Sequence, residues 1–261
     1  MKPILEVCCG NWSSVCAAAE GGAERIELCA ALPLGGVTPS LGLAERVKAT
    51  FPHLTLHILI RAREGSFVYS PDEVTTMVSD IRRFVEAGAD GIVCGALTAD
   101  GYIDTLTTRR FVEAADGTPF TFHRAFDHVE DPSAALETLA ALGCTRVLTS
   151  GGAPTACAGI PMLRRLVRQS AGRFIVLPGA GINAHNAARI LHETGATELH
   201  ASCALPVSSA TAGPAPGTDD TGALLVTNAQ RVSELIQAMN AATSIPDQPL
   251  LAKEEPNNTA T

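Results

Sequence analysis

Aromatic residues, basic runs and long apolar segments are scarce in this sequence. The first scarcity limits what can fill the core, and the other two argue against nucleic-acid and membrane partners. Only 4% of the 261 residues are aromatic, so small aliphatic side chains must fill the core. No cluster of lysine or arginine offsets the formal net charge of −8, which argues against a nucleic-acid partner. No stretch reaches the roughly 18 apolar residues that suggest a membrane helix, so we predict no membrane partner.

Cysteine motifs of the metal-finger or redox type are also missing. The eight cysteines are scattered and form no C-x-x-C pair, which excludes a zinc ribbon and a thioredoxin-like motif. The apolar segment before Cys8 and Cys9 is too short for a signal peptide. Scattered cysteines without a secretory signal favour reduced thiols. We therefore predict a cytoplasmic protein.

Short β-prone runs alternate with helical stretches along most of the chain. This alternation with short connections predicts parallel strands and right-handed crossovers, and about 250 residues is the usual length of an eight-unit barrel. The predicted fold class is α/β, a single-domain (βα)₈ TIM barrel, with a doubly wound open sheet as the alternative. The predicted strands are Ile4–Cys9, Arg25–Leu28, Thr55–Arg61, Gly91–Cys94, Pro119–His123, Arg146–Thr149, Phe174–Pro178 and Glu198–Ala201.

Composition sets the predicted limits of the barrel domain at residues 1–242. Residues 208–221 are rich in Ser, Thr, Gly and Pro, which predicts a mobile loop where the eighth helix should begin. A final helix is predicted near residues 228–240. Residues 243–261 have the composition of a disordered tail.

Ionisable side chains gather where the predicted strands end, which in a barrel is the active-site mouth. A charge inside a barrel is costly unless it is paired, so we expect Glu6 and Glu27 to meet Arg61 or Arg124. Two interpretations stay open: a structural ion-pair network, or a site in which a carboxylate or His123 is a general base and an arginine holds an anion.

The segment that follows the fifth strand has the highest density of ionisable side chains, since residues 122–127 read Phe-His-Arg-Ala-Phe-Asp. His123 is a base, Arg124 is an anion clamp, and Asp127 is placed to orient His123 or to pair with Arg124. The candidate catalytic residues are Glu27, His123 and Asp127. The candidate substrate-binding residues at the mouth are Glu6, Arg61, Arg63, Arg124 and His200.

Glycine-rich loops follow the sixth and seventh strands, at residues 149–152 and 178–183. Barrels often bind phosphate in loops late in the chain, where glycine exposes backbone N–H groups. These loops are candidates to hold a phosphate or carboxylate, and the alternative is that glycine only makes tight turns. The residues concerned are Ser150, Gly151, Gly179 and Gly181.

Two cysteines are the candidate metal ligands. Cys8 and Cys29 end neighbouring strands and, with His123 or His200, would supply soft ligands suited to Cu(I) or Zn(II). The alternative is that both are small buried hydrophobic residues.

Six runs match the sequence pattern of one known family, namely Leu5–Cys8, Gly21–Cys29, Leu34–Ser40, Gly95–Asp104, Thr121–Asp127 and Leu148–Gly151. Together they resemble the CutC family, known as copper homeostasis proteins, across about residues 3–205. The resemblance implies a barrel, a cytoplasmic location, a homo-oligomer of two or four subunits and an association with copper, but it supplies no reaction. The resemblance also implies that seven residues lie at the barrel mouth, namely Glu6, Glu27, Arg61, His123, Arg124, Asp127 and His200.

Three functions therefore remain open for the chain. The first is a CutC-family protein in copper handling, with copper bound near the mouth. The second is an enzyme acting on a small phosphorylated or carboxylated metabolite, and the third is a non-catalytic scaffold.

Overall fold

Eight parallel strands form the barrel in the computed structural model, which describes residues 2–208 and 223–243. The strand order is β7-β6-β5-β4-β3-β2-β1-β8, and β7 lies beside β8, so the sheet is nearly closed. This sequential order confirms the predicted (βα)₈ barrel, because a doubly wound sheet reverses its order at a switch point. The strands are β1 (Ile4–Cys9), β2 (Arg25–Leu28), β3 (Thr55–Leu59), β4 (Gly91–Cys94), β5 (Phe120–Phe122), β6 (Arg146–Thr149), β7 (Ile175–Pro178) and β8 (Glu198–Ala201).

A helix follows each barrel strand, and local signals place the helix ends. The third helix shows this best: Pro71 is its first residue, and Ser70 and Glu73 form a reciprocal capping box. Short 3-10 helices lie in two loops, at Leu32–Leu34 and Arg124–His128. The helices are α1 (Trp12–Glu20), α2 (Leu41–Thr50), α3 (Pro71–Glu86), α4 (Thr105–Ala114), α5 (Pro132–Ala141), α6 (Ile160–Ser170), α7 (Ala187–Thr194) and α8 (Ala229–Thr243).

A hairpin that the sequence analysis does not foresee connects β8 to α8. Its strands are β9 (Ala204–Ser208) and β10 (Ala223–Thr227), which pair antiparallel. It packs on the first βα unit, where the Asn11 side chain donates to the Leu225 carbonyl over 2.9 Å. Of the loop predicted at 208–221 and the tail predicted at 243–261, residues 209–221 and 244–261 lie outside the described residues.

The barrel strands are buried on both faces, and the two faces differ in chemistry. Outward-facing residues such as Val7 and Ile26 join the apolar core beneath the helices. Inward-facing residues such as Glu6, Arg25 and His57 are polar and equally buried. The barrel interior is therefore a polar layer surrounded by an apolar shell. No helix within the described residues has the length and apolar character to cross a bilayer.

Candidate functional site

A buried ion network fills the lower part of the barrel. Glu6 is fully buried, and its carboxylate lies 2.8 Å from Arg25 Nε, 2.9 Å from His57 Nδ1 and 2.9 Å from His200 Nδ1. Parallel pairing creates these contacts, because Glu6 is in register with Arg25 on β2 and with His200 on β8. The expected pairing of Glu6 with Arg61 or Arg124 is thus wrong.

A second carboxylate completes the network at the start of β8. Glu198 pairs with Arg25 and with Arg146, whose Nε lies 2.9 Å from Glu198 Oε2. Burial tends to raise the pKa of both carboxyl groups, but the pKa of Glu6 is lowered by hydrogen bonds from His200 and His57, and that of Glu198 by Arg25 and Arg146. Both acids are therefore ionised, and their positive partners offset the cost of burial.

Four side chains converge directly above this network, and we call them the thiol cluster: Cys8, Cys29, Glu27 and His200. The Cys8 and Cys29 sulfurs lie 3.7 Å apart, and the Cys8 thiol donates to Glu27 Oε1 over 3.5 Å. Ligand atoms of Cys8, Glu27 and His200 all lie within 4.8 Å of one another. Cys8, Glu27 and His200 therefore bring one sulfur, one oxygen and one nitrogen close together, and Cys29 joins them through its contact with Cys8.

Burial and neighbouring groups set the protonation of the thiol cluster. The hydrogen bond with Cys29, together with burial, raises the pKa of the Cys8 thiol. Burial also raises the pKa of Glu27, whose Oε2 has no hydrogen-bond partner in the part of the chain that the structure describes. Burial alone would lower the pKa of His200, but the carboxylates of Glu27 and Glu6 outweigh it and raise that pKa.

A cavity of about 330 Å³ lies over the thiol cluster, at the mouth formed by the strand ends. Glu6 is one layer deeper, and Cys29 is fully buried beside Cys8. Apolar side chains such as Leu32 and Phe67 also form its wall. The predicted site residues that line the cavity are Cys8, Glu27, Arg61, His123, Arg124, Gly181 and His200.

Arg61 holds two loops together at one wall of the cavity. Its guanidinium donates to the carbonyls of Leu34, Gly36 and Gly65 over 2.9–3.1 Å. It also lies over the Phe67 ring, 4.9 Å from the ring centroid. These contacts commit most of its donors to the protein, so Arg61 shapes the cavity wall and adds a positive charge behind it.

Arg63 lies away from the cavity. Its guanidinium pairs with Glu73 at the start of α3 and donates to the carbonyls of Ser66 and Val68 over 3.0 Å. The expectation that Arg63 contacts a ligand at the mouth has to be corrected, since its donors hold the loop between β3 and α3.

The loop after β6 wraps around the carboxylate of Asp127. This carboxylate accepts hydrogen bonds from Thr149 Oγ1 at 2.5 Å, Ser150 N at 2.9 Å and Gly152 N at 3.1 Å. It also pairs with Arg124 Nε at 2.8 Å. Of the two roles expected for Asp127, the structure shows the pairing with Arg124.

The glycine loops therefore offer fewer backbone donors than expected. Gly151 N donates to Thr149 Oγ1 over 2.9 Å, and Gly179 N donates to the Thr149 carbonyl over 3.0 Å. Of the two alternatives for these loops, the N–H groups of Ser150, Gly151 and Gly179 favour the structural one, because they already bind the protein's own oxygens. Gly181 alone of the four residues lines the cavity.

Replacing Asp127 with alanine is expected to lower the free energy of unfolding by about 2–4 kcal/mol, because each buried donor left without a partner costs about 1–3 kcal/mol. Urea denaturation followed by circular dichroism measures the change. Asp100→Ala is the matched control at an exposed position, and we expect it to stay close to wild type. An equal loss in both variants would contradict a structural role for Asp127.

His123 projects into the cavity from the end of β5. Its side chain is 5% exposed, its Nδ1 accepts from Ala125 N over 3.3 Å, and its ring lies 4.8 Å from that of Phe67. Burial, reinforced by the positive charge of Arg61, lowers the pKa of His123 to about 3. The imidazole is therefore neutral at physiological pH.

Sequence reasoning missed the lower half of the polar interior. It did not single out Arg25 or Arg146 as interior residues, although each lies on a barrel strand. The available signal was the position of Arg25, Arg146 and Glu198 as the first residues of β2, β6 and β8, which places them in one layer.

Comparisons with known proteins agree with this architecture. The model of the CutC family matches residues 3–205. A CutC family protein of Bacteroides thetaiotaomicron is 47% identical over 208 residues, which cover 80% of this chain and 84% of that protein. The human copper homeostasis protein cutC homolog is 48% identical over 199 residues, 76% of this chain and 72% of that protein.

A solved structure extends the comparison to the backbone. The crystal structure of CutC from Streptococcus agalactiae superposes with a TM-score of 0.74 at 32% identity, and the match covers 77% of this chain and 98% of that one. The family match spans all eight barrel strands and the thiol cluster. This chain belongs to the CutC family.

Proposed function

We propose that this protein takes part in copper handling and binds Cu(I) at the thiol cluster. The observation that carries the proposal is the 3.7 Å approach of the Cys8 sulfur, which lines the mouth cavity, to the fully buried Cys29 sulfur beside it. Soft thiol ligands select Cu(I) over hard cations. The human relative, at 48% identity, is named for copper homeostasis.

The spacing of the two sulfurs fits a shared ion. Two sulfurs bound to one tetrahedral metal at about 2.3 Å stand about 3.8 Å apart, close to the observed 3.7 Å. The same spacing suits Zn(II), so the proposal of copper rests on the softness of the donors and must be tested against zinc.

His200 is oriented as a third donor. Its Nδ1 lies 2.9 Å from Glu6 Oε1, which leaves Nε2 for a ligand. A carboxylate bound to the far nitrogen of a histidine is the usual outer partner of a metal-binding imidazole, because it fixes the ring and raises its basicity. Glu6 would thus hold His200 in place, while Glu27 supplies an oxygen beside Cys8.

Anaerobic titration with Cu(I) against a competing chelator tests the proposal. We expect wild type to bind a single equivalent tightly, and Cys8→Ser/Cys29→Ser to lose that equivalent, because serine is a hard and weak donor for Cu(I). Affinity should also rise with pH, since the Cys8 thiol has a raised pKa and must lose its proton to bind metal.

Cys16→Ser/Cys157→Ser is the matched control, since both thiols lie outside the thiol cluster and are partly exposed. It should bind Cu(I) like wild type. A parallel titration with Zn(II) identifies the preferred ion. Equal copper binding by the two double variants, or retention of Zn(II) in preference to Cu(I), would contradict the proposal.

The proposal extends to the location and assembly of the protein. All eight cysteines are free, which suits a reducing compartment, and we propose a cytoplasmic location. We also propose a homo-oligomer of two or four subunits. Tyr102 and Leu106 support it, since their large apolar side chains are 59% and 76% exposed, in the loop before α4 and in the first turn of that helix.

A further inference from the structure

The mouth cavity holds a buried donor that the copper proposal does not use. His123 lines the cavity wall, and its Nδ1 accepts a hydrogen bond from Ala125 N. This bond assigns the ring proton to Nε2, because a neutral imidazole carries one donor and one acceptor. Nε2 has no hydrogen-bond partner among residues 2–208 and 223–243. A buried donor in this state is unfavourable, and a ligand oxygen in the cavity would satisfy it.

The ring of His123 is uncharged at neutral pH. Burial and the charge of Arg61 lower its pKa to about 3, so it donates one N–H and adds no positive charge. Such a group suits the oxygen of a carbonyl or a carboxylate.

Arg124 supplies the positive charge next to this donor. Its guanidinium is fixed by Asp127 at 2.8 Å and by Ser150 Oγ at 3.3 Å, and its side chain is 47% exposed at the cavity rim. One arginine of this kind fits one carboxylate. A phosphate would find fewer hydrogen-bond donors here, because the backbone N–H groups of Ser150 and Gly152 already donate to Asp127.

The opposite side of the cavity limits the total charge of the ligand. Glu27 Oε2 has no hydrogen-bond partner within the described part of the chain, and the ionised form of Glu27 would repel a second carboxylate near it. Besides Arg124 and Glu27, the cavity wall contains apolar side chains, namely those of Leu32, Leu59, Leu148 and Ile182. This surface suits a short aliphatic chain.

We propose that the mouth cavity binds a small 2-oxo monocarboxylic acid. Its carboxylate faces Arg124, an oxygen of its oxo-acid group accepts the Nε2–H of His123, and its carbon chain packs on the leucine side chains. The site goes beyond copper binding and rests on His123 and Arg124, which lie outside the thiol cluster.

Calorimetric titration with 2-oxobutyrate tests this site. We expect saturable binding to wild type and affinity at least about tenfold weaker in His123→Leu and in Arg124→Gln, because each variant removes a hydrogen bond to a charged or strongly polar group. His53→Leu is the matched control at an exposed histidine and should bind like wild type. 2-Oxoglutarate, with its second carboxylate, should bind at least about tenfold more weakly than 2-oxobutyrate.

Nitrogen-15 NMR of the histidine rings keeps the test decisive if His123→Leu fails to fold. The His123 signals should show a neutral ring protonated at Nε2, and the Nε2 signal should shift when 2-oxobutyrate is added. Absence of saturable 2-oxobutyrate binding to wild type, equal affinity in His123→Leu, or binding without a shift at Nε2 would each overturn the proposal. These titrations contain no copper, so failure of the copper proposal would leave their outcome, and this proposal, unchanged.

Discussion

Replacing Glu6 with glutamine is expected to lower the free energy of unfolding by about 3–5 kcal/mol. The carboxylate lies within 2.9 Å of Arg25, His57 and His200 inside the barrel. Glutamine keeps the size of the side chain but removes its charge and places an NH₂ group among donors. Breaking a buried ion pair from one side leaves a buried charge that is only partly compensated, which is far costlier than losing a surface pair.

The pH dependence of unfolding separates this effect from a packing defect. The pKa of Glu6 is lowered in the folded protein, so its contribution is complete above the unfolded value of about 4.3 and is lost as pH falls through the folded value. The difference between wild type and Glu6→Gln should therefore be largest near pH 7 and shrink below about pH 4.

Glu137→Gln is the matched control, since this carboxylate pairs with Arg173 at the surface. We expect it to change the urea midpoint far less than Glu6→Gln does. A Glu6→Gln protein that is as stable as the control at pH 7 would show that the interior network does not depend on its central charge.

The same carboxylate shows what the sequence alone could predict about the interior. The gathering of ionisable residues at the predicted strand ends pointed to Glu6, Glu27 and His200 as mouth residues. Glu27 and His200 line the mouth cavity, and Glu6 lies one layer deeper. The sequence pattern indicated this region of the barrel. It did not predict their partners. Glu6 meets His200 across 194 positions of sequence, and this contact depends on the register between β1 and β8, which no local pattern encodes.

The contacts of the arginine side chains were harder to predict than the positions of the acidic ones, and the reason is physical. A long guanidinium side chain reaches several acceptors around its own loop, and backbone carbonyls satisfy it as well as a carboxylate does. The guanidinium groups of Arg61 and Arg63 both donate hydrogen bonds to such carbonyls. Composition gives the charge of an arginine, whereas the path of the loop decides where that charge lies.

The β9–β10 hairpin was missed because its local signals are weak. Pro206 interrupts β9, and proline usually marks an edge strand or no strand at all. The pairing instead draws on tertiary contacts, such as Thr227 N donating to Ser14 Oγ over 3.1 Å. Sequence patterns predict the repeated βα units well, whereas an insertion that breaks the repeat needs the rest of the barrel to define it.

Replacing Gly159 with alanine is expected to lower the free energy of unfolding by about 3 kcal/mol or more, the upper range for overpacking. A Cβ at this position would lie 1.8 Å from the carbonyl oxygen of Ser150. The φ of Gly159 is −84°, which any residue adopts, so the cause is the close approach of two backbones. Thermal and urea unfolding measure the loss.

Gly42→Ala is the matched control in α2, where an added Cβ meets no atom within 4 Å. It should raise the free energy of unfolding by about 0.5–1 kcal/mol, since alanine favours a helix. Equal stability of Gly159→Ala and wild type would mean that the loop after β6 relaxes without cost.

The Gly159 variant also tests how the mouth is positioned. The loop after β6 is held between the start of α6, where Gly159 N donates to the Thr155 carbonyl over 3.0 Å, and the carboxylate of Asp127. Ser150 is on this loop and contacts Arg124. A Cβ that pushes the loop outward should therefore move Arg124 and weaken 2-oxobutyrate binding, while the thiol cluster on β1, β2 and β8 keeps its affinity for Cu(I).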